Sequence, residues 1–303
     1  MKTTAYTLMG QVRNHPPDPP GDDGGFSLVE LVVVIVITGV LAGVIGSFIG
    51  GPIQGFFDQA RRGRLVDAAQ LALLRMGRDL HAALPNSIRV SNGVIEMLLT
   101  ADGERYRTEP PGAANDVLAF TAADDHFNTF APLNPPSPLV TPYTLTGSLA
   151  IYPLQQTGAN PYVSTDGVMT ASGTMTVNAV TVNGNVEYQL ALPAAHPFPY
   201  DSPTRRVFLV SGPVSWLCDG ADLVRYDGYT AQAAQPASAA ALAALAGATR
   251  TVVARDMQAC AFTYTAGSLQ RNAVAVISVA LADAGVATER VRLMRQVHVD
   301  NTP

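Results

Sequence analysis

The sequence predicts an α+β protein in which a long N-terminal helix packs on an antiparallel β-sheet. Three observations carry that prediction. An apolar run of membrane-spanning length opens at Phe26, a stripe of apolar residues at helical spacing follows it, and turn-bounded alternating segments fill much of the rest.

From Phe26 to Ile49 the only ionisable side chain is Glu30. The run exceeds the roughly 20 apolar residues that cross hydrocarbon as a helix, so a single membrane span is expected over 26–52. A cleavable secretory signal would have a shorter apolar region with its small-residue cut site afterwards. Here the small residues Gly24 and Gly25 come first, and a cut there leaves the apolar helix on the mature chain. A carboxylate deep in a bilayer costs about 2.5–3.5 kcal/mol even on lenient insertion scales, so Glu30 needs a partner unless it snorkels to the headgroups. Gly39 and Gly43, Gly46 and Gly50, and Gly51 and Gly55 repeat a small-xxx-small spacing that lets helices approach closely in lipid. Gly50–Pro52 is expected to bend or locally melt the helix, because proline removes a backbone donor and clashes with the preceding turn.

Beyond that point Leu65, Ala69, Leu73, Met76, Leu80 and Leu84 fall on one helical stripe, with Arg61, Arg62, Arg64, Asp67, Arg75, Arg78 and Asp79 mostly off it. This predicts an amphipathic helix from about Ile53 to Leu84, ended by Pro85, with its charged face solvated. Asn92-Gly93 between apolar runs is a strong hairpin signal, and Asn183-Gly184 is a second. Further strands are expected at Asp116–Thr121, Arg206–Ser211, Ser215–Cys218, Leu223–Tyr226, Cys260–Tyr264, Ala273–Leu281 and Val291–Val299. Residues 122–205, broken by proline and polar residues, read as a long insertion decorating one domain. The alanine-rich piece from Ala231 to Ala248 is a short helix or a mobile loop. Trp216 and Cys218, two apart, share one face of a strand.

The net charge is −5, only 14% of residues are charged, and no basic block marks a nucleic-acid surface. His15, His81, His126, His196 and His298 are scattered, with no pair at a metal-ligand interval. There is no nucleophile elbow, P-loop or dinucleotide-binding glycine pattern, so no catalytic, cofactor or metal site is expected. The segment Ala123–His126 groups two carboxylates and an imidazole, and a solvated turn is its default reading. Cys218 and Cys260 lack CxxC spacing and surrounding histidines. A disulfide is their simplest reading, and two unrelated buried thiols are the alternative.

The residues Gly25, Phe26, Ser27, Leu28, Val29 and Glu30, running into LVVVIVITGVLAGVI, resemble the N-terminus of the type IV pilin and pseudopilin superfamily. The resemblance implies that prepilin peptidase cuts between Gly25 and Phe26 and that the new amine of Phe26 is methylated. It also implies that Glu30 pairs with the amine of a neighbouring subunit, about 6 Å along the helix from its own. The implied organisation is a leader at 1–25, a transmembrane segment at 26–52 and a type IV pilin-like α+β head at 53–303. The head would lie in the periplasm, tethered by one pass through the bacterial inner membrane. Partners would be prepilin peptidase, the inner-membrane assembly platform, and major and minor pilins met through their N-terminal helices. Two features depart from the family: acidic Asp18, Asp22 and Asp23 in the leader, and Arg61, Arg62 and Arg64 beyond the span. The arginines alone would put the head in the cytoplasm, but the junction overrides that count.

Farther on, SGPVSWLCDGADLVRYDGY, ACAFTYTAG and RVRLMRQVHVDNTP are similar to minor pilins of the mannose-sensitive haemagglutinin (MSHA) type. That implies a subunit of a pilus tip or initiation complex. Alternatives are a J-type minor pseudopilin of type II secretion and a membrane-tethered adhesive or carbohydrate-binding module.

Overall fold

The computed structural model describes residues 25–108, 117–120, 122–267, 271–283, 285 and 289–302, with 49–52 as backbone only. Contacts divide the chain into two units, Met1–Asp58 and Gln59–Pro303. Helix α1, Leu28–His81, runs through both. It is helical without interruption across 50–52, so the melting expected there does not occur. A proline removes one bond of the helical ladder, and the flanking turns hold.

In the second unit the predicted stripe is the buried face: Leu65, Ala69, Leu73, Met76 and Leu80 join one core with residues of both sheets. The helix ends at His81 rather than Leu84. The reason is competition for backbone bonds, since the Ala82 carbonyl accepts from Thr100 N at 2.8 Å and Leu84 N donates to the Leu98 carbonyl at 2.7 Å. The chain therefore passes directly from helix into sheet.

Strands β1 (Arg89–Ser91) and β2 (Val94–Arg105) form the first hairpin, with Asn92 and Gly93 both at positive φ, as a type I′ turn requires. The 122–205 region supplies β3 (Asp124–Thr129), β4 (Tyr143–Ile151), β5 (Gly173–Val182) and β6 (Asn185–His196), the last two joined by the Asn183-Gly184 turn. Next come β7 (Arg206–Asp219) and β8 (Asp222–Asp227). A five-residue helix follows, α2 (Ala239–Ala243), capped by Ser238, and then β9 (Thr249–Ala254). All nine strands make one sheet, with the path β1-β2-β7-β4-β5-β6-β3 and with β8 and β9 branching from β7. Residues 122–205 thus extend the sheet rather than decorate it, around a core that includes Tyr106, Phe127, Leu149, Met175, Val177, Leu190 and Phe198. The strand expected at Asp116–Thr121 is corrected: its two ends lie outside the described residues, and between them Phe120 makes only an isolated bridge to Phe198.

The two strands expected at Arg206–Ser211 and Ser215–Cys218 are one, β7, paired with β2 from Arg105↔Arg206 to Ile95↔Trp216. Its other edge is shared. β4 pairs with Val207–Val210 and β8 with Ser215–Asp219, so Ser211–Val214 has no neighbour strand there. Proline explains the fork. Leu98 turns its backbone groups away from β7, accepting from Leu84 N and donating to Ser87 Oγ, so its opposite number Pro213 faces the open edge. There it has no N–H to offer.

A second sheet holds β10 (Met257–Thr265), β11 (Ala273–Ala282) and β12 (Arg290–Val299), all antiparallel. Alternate residues Ala273, Ala275, Ile277, Val279 and Leu281 are buried against the α1 stripe. The expected α+β plan of a long helix with antiparallel sheet is therefore the one observed.

Polar groups tie the layers. Asp79, expected on a solvated face, accepts from Trp216 Nε1 at 3.0 Å and from Arg225 Nε at 2.8 Å. Buried Arg107 and Glu187 pair, with Arg107 Nε 2.8 Å from Glu187 Oε2, and Asn128 adds a third bond. The Arg107 hydrogen bond holds the Glu187 carboxyl below its ordinary 4.5. A depressed carboxyl pKa gives stability that is present above the unfolded value and is lost as pH falls through the folded one. Urea unfolding at pH 7 and pH 4 will show a larger acid loss for the wild type than for Glu187→Gln. Equal losses would remove Glu187 as a source of acid sensitivity.

Candidate functional site

The first unit holds the residues singled out by the N-terminal resemblance. Gly25 and Phe26 precede α1 and are exposed, and a Cβ on Gly25 would meet nothing within 4 Å. Ser27 caps the helix, its Oγ accepting from Glu30 N at 3.1 Å. Ser27-x-x-Glu30 has the spacing of a capping box, a helix-start signal local to the sequence. The Glu30 side chain is exposed, and among the described residues it has no ion-pair partner.

Behind Glu30, α1 is long and apolar enough to cross a membrane, and its apolar window is wholly exposed within the chain. The exposed large side chains continue from Leu31 through Ile45 and Phe48 to Ile53, Phe56 and Phe57. Such a surface is stable only against lipid or other apolar helices. At Gly39, Gly43, Gly46 and Gly55 an added Cβ would touch nothing, so the helix backbone is open to close approach. Gly50 and Gly51 fall in the stretch described as backbone only, and the leader at 1–24 lies outside the described residues.

The other predicted pair is in the second unit. Cys218 on β7 and Cys260 on β10 form a disulfide, with Cα atoms 6.0 Å apart, that joins the two sheets. Trp216 lies in the same core layer as Cys218, while Leu217 points into a different cluster, as strand alternation requires.

The acidic group Asp124, Asp125 and His126 is brought together at the start of β3, its ligand atoms within 4.8 Å of one another. Asp124 already spends its oxygens on backbone amides, accepting from Ala119 N at 2.8 Å and His126 N at 3.3 Å, and Asp125 pairs with the His126 ring. The cluster is accounted for by its own turn.

In comparison with known families, residues 22–46 match the prokaryotic N-terminal methylation motif. No curated protein matches the chain, and no solved structure does. The motif covers the junction and most of the apolar run, including the described residues 25–46. It supports a type IV pilin-like or pseudopilin-like structural protein, processed by prepilin peptidase, anchored in the membrane by α1 and assembled with other pilins.

Proposed function

We propose that this chain is a minor pilin of an MSHA-type pilus. Prepilin peptidase cuts between Gly25 and Phe26, and the amine of Phe26 is methylated. The protein waits in the inner membrane with its head in the periplasm until the assembly platform draws it into a tip or initiation complex. Neighbours meet it through their N-terminal helices, and Glu30 takes the amine of an adjoining subunit as its partner. The observation carrying this reading is the solitary Glu30 carboxylate, one turn past a glycine-aromatic junction and at the head of an exposed apolar helix. In lipid such a charge is tolerated only when it is matched. The narrower MSHA assignment rests on the likeness of the Cys218 and C-terminal segments, and the set of pilins that co-purifies separates it from a type II secretion pseudopilin.

Edman degradation and intact mass of the membrane-extracted protein test the class. The expected first residue is N-methylated Phe26. A chain starting at Met1, or one trimmed beyond the apolar run, would refute it.

A further inference from the structure

Arg61, Arg62 and Arg64 begin one helical turn past Phe57, where the run of exposed large apolar side chains closes with Phe56 and Phe57. Leu65, the first core residue of α1, follows at once. We infer that these three arginines bind the phosphates of anionic phospholipid headgroups at the surface of the bilayer that α1 crosses.

Their placement on the helix is specific. At 100° per residue Arg61, Arg62 and Arg64 lie about 40°, 60° and 100° around the axis from Leu65. They therefore flank the side of α1 that the core covers, at the edge of the body. One end of the second sheet comes beside them: Arg64 Nη2 is 4.0 Å from Asp283 Oδ2, Asp283 N donates to the Glu289 carbonyl at 3.3 Å, and Ala282 N donates to the Asp256 carbonyl at 2.9 Å. Two of the three arginines keep their charge available. The Arg64 side chain stays 75% exposed, and so long and wet a pair binds it weakly. Arg62 is exposed and has no ion-pair partner among the described residues. On α1 the arginines outnumber the flanking carboxylates, Asp58 and Asp67.

Arginine suits this position for two reasons. Its apolar stem lies along the end of a span while the guanidinium reaches the headgroups, and its planar fork takes phosphate oxygens two at a time. Each such cation beside an anionic membrane surface gains about fivefold in affinity. A nucleic acid fits less well. An extended polyanion would run on to Asp256, Asp283 and Glu289 at the same end of the sheet, and the whole chain is negative at −5. A headgroup phosphate is small enough to meet the arginines alone. The inference also resolves a conflict in the sequence. Arginines just after a span favour the cytoplasmic side, so with the body exported, as proposed above, they need a different counter-charge, and anionic lipid in that leaflet supplies it.

This inference rests on the anchoring of α1 in a membrane and not on assembly into a filament. The full-length chain is placed in nanodiscs of phosphatidylcholine with a minority of phosphatidylglycerol, and the lipids that stay bound on its release are identified by native mass spectrometry. Phosphatidylglycerol is expected among them at about fivefold or more above its share of the disc. Arg61→Gln, Arg62→Gln and Arg64→Gln combined should return it to that share. Arg61→Lys, Arg62→Lys and Arg64→Lys combined should keep most of the enrichment, because they keep the charge. Arg75→Gln with Arg78→Gln, exposed farther along the same helix, should leave it unchanged. The inference is overturned by a wild type without enrichment, by enrichment that survives the glutamine replacements, or by its loss in the lysine variant at an unchanged thermal midpoint. Equal loss in the Arg75 and Arg78 variant would overturn it too, as would displacement of the lipid by millimolar inorganic phosphate, the mark of a site for free anions. Chains that do not enter the disc at all would overturn the anchoring and this inference together.

Discussion

Glu30→Ala is expected to reach the membrane as well as the wild type and to be nearly absent from assembled pili or pilin complexes. Insertion depends on the apolar run, which the substitution makes more apolar. The helix start is also spared, because the cap uses the backbone N–H of residue 30 and the Ser27 hydroxyl, neither of which is altered. What changes is the company of the neighbour's amine. In the proposed assembly a cut after Gly25 gives each subunit a cationic terminus beside lipid, and without Glu30 that charge would enter the helix bundle unmatched. Breaking a buried pair by removing one partner is far more damaging than never having had the pair. A penalty of the size seen for lone charges in hydrocarbon corresponds to roughly a hundredfold loss of incorporation. Immunoblots of sheared pili against the membrane fraction measure it. Glu30→Gln should fail like alanine, since it keeps the shape and removes the charge. Wild-type recovery of either variant would show that Glu30 is only snorkelling.

What the sequence disclosed and what it hid divide along a physical line. The α1 stripe, both Asn-Gly hairpins and the alternating strand Val291–Val299 are written locally, in spacings of three and four, in residues that tolerate positive φ, and in a period of two. The N-terminal motif matched over residues 22–46 was legible for the same reason. β3 and β4 were not. Asp124–Thr129 contains one large apolar residue, Phe127, and becomes a strand because β6 offers it a partner distant in sequence. β9 follows the alanine tract without a strong turn signal and is specified by β8. Likewise Gly212-Pro213 read as a break between two strands, yet β2 pairs straight past it and only the opposite edge is broken. The fork made by that one-sided break has no linear signature at all. Asp79 is the same lesson in a side chain. On the helix alone it belongs to the polar face, and only the fold brings Trp216 and Arg225 to it.

Replacing both Cys218 and Cys260 by serine is expected to lower the unfolding free energy of the body by about 4 kcal/mol. The bridge spans a sequence separation of 42 and encloses β8, α2 and β9, so its absence frees a long segment in the unfolded chain. Against a typical net stability of about 5–15 kcal/mol that is a large fraction, and a body near the lower end would be partly unfolded at 37 °C. The denatured state also expands, so the urea m-value should rise along with the fall in midpoint. A loss below about 1 kcal/mol would mean that the shared core under α1 holds the two sheets together unaided. The same bond reports on topology. Disulfides persist in the periplasm and are reduced in the cytoplasm. Thiol alkylation during rapid lysis should therefore find both cysteines blocked if the body is exported, whereas two free thiols in native, membrane-anchored protein would place it on the side that Arg61, Arg62 and Arg64 alone would choose.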